Sequence, residues 1–560
     1  MPLLSAPSVP TARATLVAQR ITTYRGLAPI LVDVDITIGA EHRVGIIGPN
    51  GVGKTTLLRV LSGLEDADSG AIVLNPPTAT IGYLTQEPEA LGDETFRQQL
   101  ERRTGVHEAE ARLADAAQGL AEGRPGADDE YAVALERYLA LGAADFEARA
   151  AQLLDDLAVP ARLLDVAVRS LSGGQRAKAS LAGLLLSRFD LLLLDEPTND
   201  LDFDGLERLE SFLATRSGGL GVVSHDRAFL ERVVTSVLEI DEHSHRAIVY
   251  AGGFSAYLEA RETAKRHAYE AYDNYVDERD RLRARERAQR QWAVQGASRE
   301  KKHPRDNDKA QRDFRLNRTE KQASKVRITE RALERLETVD HPFEGWQLDL
   351  DLASAGRSGD IVARLDRAVV ERGAWRFGPI DLEITWAERV AVLGPNGSGK
   401  STLIAALLGR LELASGARFL GPSVVVGELG QHRARFSHGA GTLIDEFLSA
   451  TAMTVSEGRS LLAKFGLGAS HVERLARALS PGERTRAELA LLMAQGTNCL
   501  VLDEPTNHLD LPAIEQLEEA LEAWQATLVL VTHDRRLLDA VEVTRHIGLD
   551  DGQLVHDTPA

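Results

Sequence analysis

Two stretches of the chain have residue types and spacing suited to holding phosphate: GPNGVGKTT, beginning at Gly48, and GPNGSGKST, beginning at Gly394. Each follows a run of apolar β-branched residues and leads into an apolar helical pattern, which gives the order strand, loop, helix. The candidates in the first loop are Gly48, Pro49, Asn50, Gly51, Val52, Gly53, Lys54, Thr55 and Thr56. Those in the second are Gly394, Pro395, Asn396, Gly397, Ser398, Gly399, Lys400, Ser401 and Thr402. Glycines let backbone N–H groups curl around phosphate oxygens, and the helix N-terminus adds its positive dipole end. Lys54 or Lys400 then reaches the β- and γ-phosphates of a nucleotide, and Thr55 or Ser401 brings a hydroxyl suited to Mg2+. Downstream, LLLLDEPTNDLD and CLVLDEPTNHLD read as buried strands ending in acid pairs, Asp195 with Glu196 and Asp503 with Glu504. Adjacent strand residues point in opposite directions, so the aspartate can hold a metal shell while the glutamate polarises the attacking water.

The elements that must position these groups occur twice. RVGIIGPNGVGKTTLLRVLSGLEDADSG returns about 350 residues later as RVAVLGPNGSGKSTLIAALLGRLELASG, so one folded unit is duplicated. A length of 560 residues exceeds one ordinary core and leaves room for further segments between the copies. Hydrophobic content of 43% and charged content of 27% exclude a largely disordered chain. Apolar runs such as LAGLLLSRFDLLLLDEP are broken by Arg188 and Asp190, well short of the ~20 residues a bilayer needs, so no membrane insertion is expected. Met1 to Arg20 lacks a basic start, an apolar stretch and a small-residue cleavage site, so no export signal is expected. The one cysteine, Cys499, lies in an apolar run and is expected as a small core residue in a cytoplasmic protein.

The flanks of the acidic strands carry a family resemblance. LSGGQRAK precedes the first and LSPGERTR the second, while VVSHDRAFL and LVTHDRRLL follow them. Phosphate loop, signature, acidic strand and histidine in this order, twice, resemble the ATP-binding cassette family. The resemblance implies two ATP-hydrolysing sites, with Gln86 in IGYLTQEPE and Gln431 in VGELGQHR as metal-shell glutamines and His225 and His533 as switch histidines on the γ-phosphate. It implies Tyr24 stacked on adenine in the first half, with Trp375 or Phe377 of ERGAWRFGP in that role in the second, Trp375 being favoured. Cassettes of this family close head to tail, which implies one molecule pairing its own halves. Ser172, Gly173, Gly174 and Gln175 then face the ATP held by Lys400, and Ser480, Gly482 and Glu483 face the ATP held by Lys54. Pro481 replaces a signature glycine and removes one N–H, a change tolerated in the first turn of a helix. The two sites are therefore expected to differ.

Between the copies, LRARERAQRQWAVQGASREKKHPRDNDK stands out in a chain of net charge −19. From Arg261 to Thr338 about 22 Lys and Arg face about 15 Asp and Glu, roughly +7, which leaves the rest near −26. Tyr269, Tyr272 and Val276 at helical spacing predict a first helix of roughly 35 to 40 residues, then a basic tip around Pro304, then a second helical run to Leu336. A loop of Trp292, Arg299, Lys301, Lys302, His303 and Arg305 is suited to phosphates and stacked bases of structured RNA. The excess sequence between Gln86 and the first signature reads as an inserted helical arm.

Two cassettes, an arm in the first and a charged linker together resemble the ABC-F proteins. The implied fold is α/β, with two phosphate-loop cassettes joined by a long helical hairpin. Its expected bounds are 1–254 for the first cassette with an arm at about 90–160, 255–340 for the linker, and 341–560 for the second cassette. The resemblance implies ATP and Mg2+ as cofactors, and as partners the ribosome, at the E site on its large subunit, together with P-site tRNA and rRNA. It also implies relief of stalled translation or protection from antibiotics, with the energising of a separate membrane exporter as the alternative. The acidic remainder limits nonspecific nucleic-acid binding.

Overall fold

The computed structural model describes residues 14–84, 93–157, 159–171, 173–199, 201–302, 357–373, 375–429, 440–479, 481–507, 509–522 and 524–560, together with residues 328, 331, 336 and 436. Expectations placed on Gln86, Ser172, His303, Arg305, Gln431 and Ser480 lie outside the described residues. One compact unit comprises Met1–Tyr257 with Trp346–Ala560, and a second comprises Leu258–Gly345.

The first half contributes β1 (Thr15–Arg25), β2 (Ala28–Gly39), β3 (Arg43–Ile47), β4 (Ser69–Asn75), β5 (Ile81–Leu84), β6 (Leu191–Asp195), β7 (Gly219–Val223), β8 (Ser236–Ile240) and β9 (Ala247–Ala251). A six-stranded sheet has the order β5-β6-β7-β3-β8-β9, parallel except for its edge strand β9. The antiparallel sheet β2-β1-β4 is separate. The Leu191–Leu194 run is buried on both faces, as a central parallel strand requires, and it ends at the acid pair.

The second half repeats the plan with β10 (Ile361–Arg372), β11 (Trp375–Thr385), β12 (Arg389–Leu393), β13 (Ser415–Leu420), β14 (Val426–Leu429), β15 (Cys499–Asp503), β16 (Thr527–Val531), β17 (Arg545–Asp550) and β18 (Gln553–Pro559). Its sheets run β14-β15-β16-β12-β17-β18 and β11-β10-β13. Cys499 is buried at the start of β15, and burial pushes its thiol up to about 12.

Between β5 and the first signature stand helices Phe96–Arg103, Val106–Ala121, Ala127–Ala140 and Phe146–Asp156. Thr95 starts the first of these with a capping box to Gln98. In the second half Thr442 and Asp445 do the same for the helix Leu443–Ser449. There the following helices, Val455–Lys464 and Ala469–Val472, are shorter. Arg149 fastens the first-half segment to the end of the signature helix, donating from Nη1 to Leu186 O at 3.1 Å and from Nη2 to Gly142 O at 2.8 Å.

One helix, Phe254–Lys302, runs for 49 residues, or roughly 70 Å at 1.5 Å per residue. This corrects the expected length, and it also corrects the expected loop, because Trp292, Arg299, Lys301 and Lys302 are helical. Arg, Ala, Gln and Glu dominate this stretch and favour helix, Gly296 alone is weak, and no proline intervenes before Pro304. Among the described residues no helix is long and apolar enough to cross a membrane.

The two sheets of the first half approach closely at Gly221 of β7. A Cβ there would lie 2.9 Å from Leu193 Cδ2 and 3.0 Å from Ile38 Cδ1. The Gly221→Val variant is therefore expected to be overpacked and destabilised by about 1–3 kcal/mol. Thermal unfolding should show a lowered midpoint, and an unchanged midpoint would mean that the sheets can separate without loss.

Candidate functional site

Each phosphate loop is a tight backbone cradle closed by its own lysine. Gly53 and Gly399 adopt φ 110° and 107° just before the helices Lys54–Leu61 and Lys400–Leu407, a conformation that a Cβ would strain. Lys54 Nζ donates to Gly48 O at 2.7 Å and Pro49 O at 3.0 Å. Lys400 Nζ donates to Gly394 O at 2.7 Å and Pro395 O at 3.2 Å. Burial lowers both ammonium pKa values, opposed in the first half by Glu196, Asp510 and Asp195 and in the second by Glu504, Asp202 and Asp503. Val52 and Ser398 are buried beneath the loops, whereas Thr55 and Ser401 lie at the exposed end beside the aspartates. Ser401 Oγ donates to Asp503 Oδ2 at 3.0 Å, and the Thr55 hydroxyl bonds Asp195 in the same way. Thr56 and Thr402 are half-buried in the helices.

The glutamates following these aspartates share an unusual backbone. Glu196 and Glu504 have φ 50° and 49°, in the left-handed region, and their N–H groups donate to Val223 O and Val531 O at 2.9 Å. Such a conformation costs on the order of 1–3 kcal/mol for a non-glycine residue and persists only where surrounding bonds enforce it. It turns each glutamate toward a histidine: His225 Nε2 is 3.2 Å from Glu196 Oε1, and His533 Nε2 is 3.4 Å from Glu504 Oε1. Burial pushes the Glu196 carboxyl up to about 7. Burial and the Lys54 charge hold His225 well below its usual range, while burial and Lys400 lower His533 to about 4. Both imidazoles are therefore neutral at neutral pH.

The halves also complete one another. Asp510 Oδ2 accepts from the Asn50 N–H at 3.0 Å, and Asp202 Oδ2 accepts from the Asn396 N–H at 2.9 Å. These two aspartates were missed as candidates, although the last Asp of LDEPTNDLD and LDEPTNHLD was the available signal. Arg535 pairs with Glu210 at 3.1 Å, and the equivalent Arg227 pairs with Glu518.

The signature segments open helices Gly173–Leu185 and Pro481–Ala494. Gly173, Gly174 and Gly482 lie in their first turns, and Pro481 is the first residue of its helix, where no intrahelical N–H is needed. Gln175 is half-buried, and Glu483 accepts from Arg474 Nη1 at 2.9 Å.

The aromatic candidates differ in placement. Tyr24 is 52% exposed at the end of β1, whereas Glu371 stands at the matching place in β10. Phe377 is fully buried. Trp375 enters from the start of β11 and reaches the loop, its Cη2 lying 3.3 Å from where a Cβ on Gly399 would stand.

Fold and site define a tandem phosphate-loop ATPase of the ATP-binding cassette class, with loops from one half bonded to aspartates of the other. A family model described as "ABC transporter" matches residues 31–199 and 377–507. The chain is 30% identical to "ABC transporter F family member 5" of Arabidopsis thaliana over 95% of its length and 74% of that protein. It is 35% identical to "Tylosin resistance ATP-binding protein TlrC" of Streptomyces fradiae, covering 91% of this chain and 92% of that one. It is 32% identical to "Energy-dependent translational throttle protein EttA" of Mycobacterium tuberculosis, covering 93% and 89%. The chain belongs to the ABC-F family.

The Glu196 carboxyl gives a pH test. Its raised pKa keeps the proton on as pH falls through about 7, and a protonated carboxyl cannot polarise water. In a Glu504→Gln background, where Glu196 is the remaining glutamate, ATP turnover should decline as pH falls through about 7. A flat profile from pH ~5 to ~8 would contradict this assignment.

Proposed function

We propose that this protein is a ribosome-acting ATPase. Its ATP-closed form binds the ribosomal E site, its linker approaches P-site tRNA and the peptidyl-transferase region, and hydrolysis releases it. The observation that carries the reading is the 49-residue helix Phe254–Lys302 between two cassettes whose phosphate loops are bonded in trans. A relative named for tylosin resistance and another named as a translational throttle support it. The relative named for resistance, 35% identical, supports antibiotic protection as the particular role.

At each site Lys54 or Lys400 leaves its loop carbonyls for the β- and γ-phosphates, and backbone N–H groups hold the phosphate oxygens. The Thr55–Asp195 and Ser401–Asp503 pairs suit Mg2+, which is held by one or two carboxylates beside phosphate and water, and Gln86 and Gln431 would complete each set. Bound there, Mg2+ would neutralise charge on the phosphates. Glu196 and Glu504 polarise the attacking water, and neutral His225 and His533 donate toward the γ-phosphate. Tyr24 and Trp375 stack on the adenines. Ser172, Gly173, Gly174 and Gln175 cover the Lys400 site, and Ser480, Gly482 and Glu483 cover the Lys54 site. The basic linker, with Trp292, Arg299, Lys301, Lys302 and Arg305, contacts tRNA and rRNA. The molecule acts as a monomer in the cytoplasm.

Replacing those five linker residues with alanine removes four positive charges and one stacking ring without touching an ATP motif. Basal ATP turnover should stay near wild type. Rescue of cell-free translation challenged with tylosin and other antibiotics of the large ribosomal subunit should be lost, and the salt dependence of ribosome binding should flatten. Full rescue with unchanged ribosome affinity would refute the RNA-contacting role. Sedimentation with membranes and not ribosomes would favour the energising of a membrane exporter.

A further inference from the structure

We propose that Phe203 is a positioning residue acting in trans, holding the imidazole of His533 in the ATP site of the other half. The proposal rests on the reading above that His533 acts at the γ-phosphate. Phe203 opens the helix Phe203–Thr215 directly after Asp202. The Asp202 carboxylate accepts from the Asn396 N–H at 2.9 Å and from the Gly205 N–H at 3.0 Å, which anchors this point of the first half on the phosphate loop of the second. The Phe203 ring meets the His533 ring at a centroid distance of 5.2 Å and an interplanar angle of 75°. Arg535 Cζ lies 5.8 Å from the Phe203 centroid, and Arg535 is itself held by Glu210 at 3.1 Å and Glu207 at 3.6 Å. The benzene ring is thus gripped by two residues of one histidine loop.

A histidine with one working nitrogen is usually oriented by a hydrogen bond at the other. Here His533 Nε2 lies 3.2 Å from Lys400 Nζ and 3.4 Å from Glu504 Oε1, while Nδ1 is buried without a hydrogen-bond partner among the described residues. Rotation of the imidazole must therefore be restrained by packing, and the perpendicular ring contact supplies that restraint. The charged groups facing it are Lys400, Glu504, Asp202 and Arg535.

The duplicated half departs at this point. Leu511 follows Asp510 as Phe203 follows Asp202, and it opens the corresponding helix Leu511–Glu522. His225 Nδ1 is likewise buried without a hydrogen-bond partner among the described residues, but the residue at the sequence position of the ring, Leu511, is aliphatic. The two sites thus differ in how tightly the switch histidine is oriented. That difference is independent of Pro481, which belongs to the signature facing the Lys54 site.

The test uses two backgrounds, Glu196→Gln, which leaves hydrolysis to the Lys400 site, and Glu504→Gln, which leaves it to the Lys54 site. Phe203→Leu, which copies the other half, is expected to lower kcat about tenfold in the first background with KM changed less than about twofold. In the second background kcat should stay within about twofold, and Phe203→Tyr should restore the first. Equal losses in both backgrounds, no loss in the first, or failure of tyrosine to rescue would overturn the proposal. His533→Ala in the Glu196→Gln background tests the underlying reading separately, since unchanged turnover there would remove the hydrolytic role of His533 and the positioning role with it. If either parent turns over too slowly, a crystal structure of Phe203→Leu with ATP decides. Displacement of the His533 imidazole relative to the ATP complex of the protein with Phe203 is expected, and an unmoved imidazole overturns the proposal.

Discussion

The hydrogen bonds from the Asn50 and Asn396 amides to Asp510 and Asp202 set the terms for the rest of the structure. Each phosphate loop donates a backbone N–H to a carboxylate of the other half, so neither nucleotide site is complete within one cassette. The same aspartates belong to the strand-to-loop segments that carry the acid pairs. Asp202 also caps the helix it precedes, and Asp510 accepts from Ala513 N–H at 3.2 Å in the same manner. A shift of one half against the other therefore disturbs loop, cap and catalytic segment together. Arg227 with Glu518 and Arg535 with Glu210 brace this joint with partly buried charge pairs, whose geometry matters more than their net energy.

Duplication has not made the halves equal. Pro481 replaces a signature glycine, Trp375 comes from a different strand end than Tyr24, and Phe203 has Leu511 as its counterpart. Tyr83 adds another difference: its hydroxyl is 3.3 Å from Asp195 Oδ2, whereas the matching strand β14 carries Glu428, paired with Arg410. The shared machinery is retained in both halves, including the left-handed glutamates and the neutral histidines. The departures lie in the groups that orient the machinery.

Much of this was legible in the sequence because phosphate chemistry is local. Gly53 with Lys54 and Gly399 with Lys400 place amides and ammonium within a few residues, and two copies remove the ambiguity of one. The buried strands were readable for the same reason, as apolar runs ending in acids. What was not legible depends on partners distant in sequence. Asn50 and Asp510 are 460 residues apart, and the Asp that ends both LDEPTNDLD and LDEPTNHLD does not by itself say that its carboxylate meets a phosphate loop of the other half. The positive φ of Glu196 is enforced by Val223, and no propensity of glutamate hints at it. Phe377 is fully buried and Trp375 half-buried, a difference that the short stretch ERGAWRFGP does not show. The linker helix was underestimated because its basic composition was read as a tip, although arginine and alanine are good helix formers.

In the proposed cycle, ATP held between the two halves makes the form that engages the ribosome, and Glu196 and Glu504 end it. The most direct measurement is ribosome pelleting of the Glu196→Gln, Glu504→Gln double variant with ATP, read alongside cell-free protein synthesis. Retained ATP, stronger co-pelleting with ribosomes than wild type, and arrested synthesis are expected. Normal ATP turnover by the double variant, with pelleting no better than wild type, would contradict it.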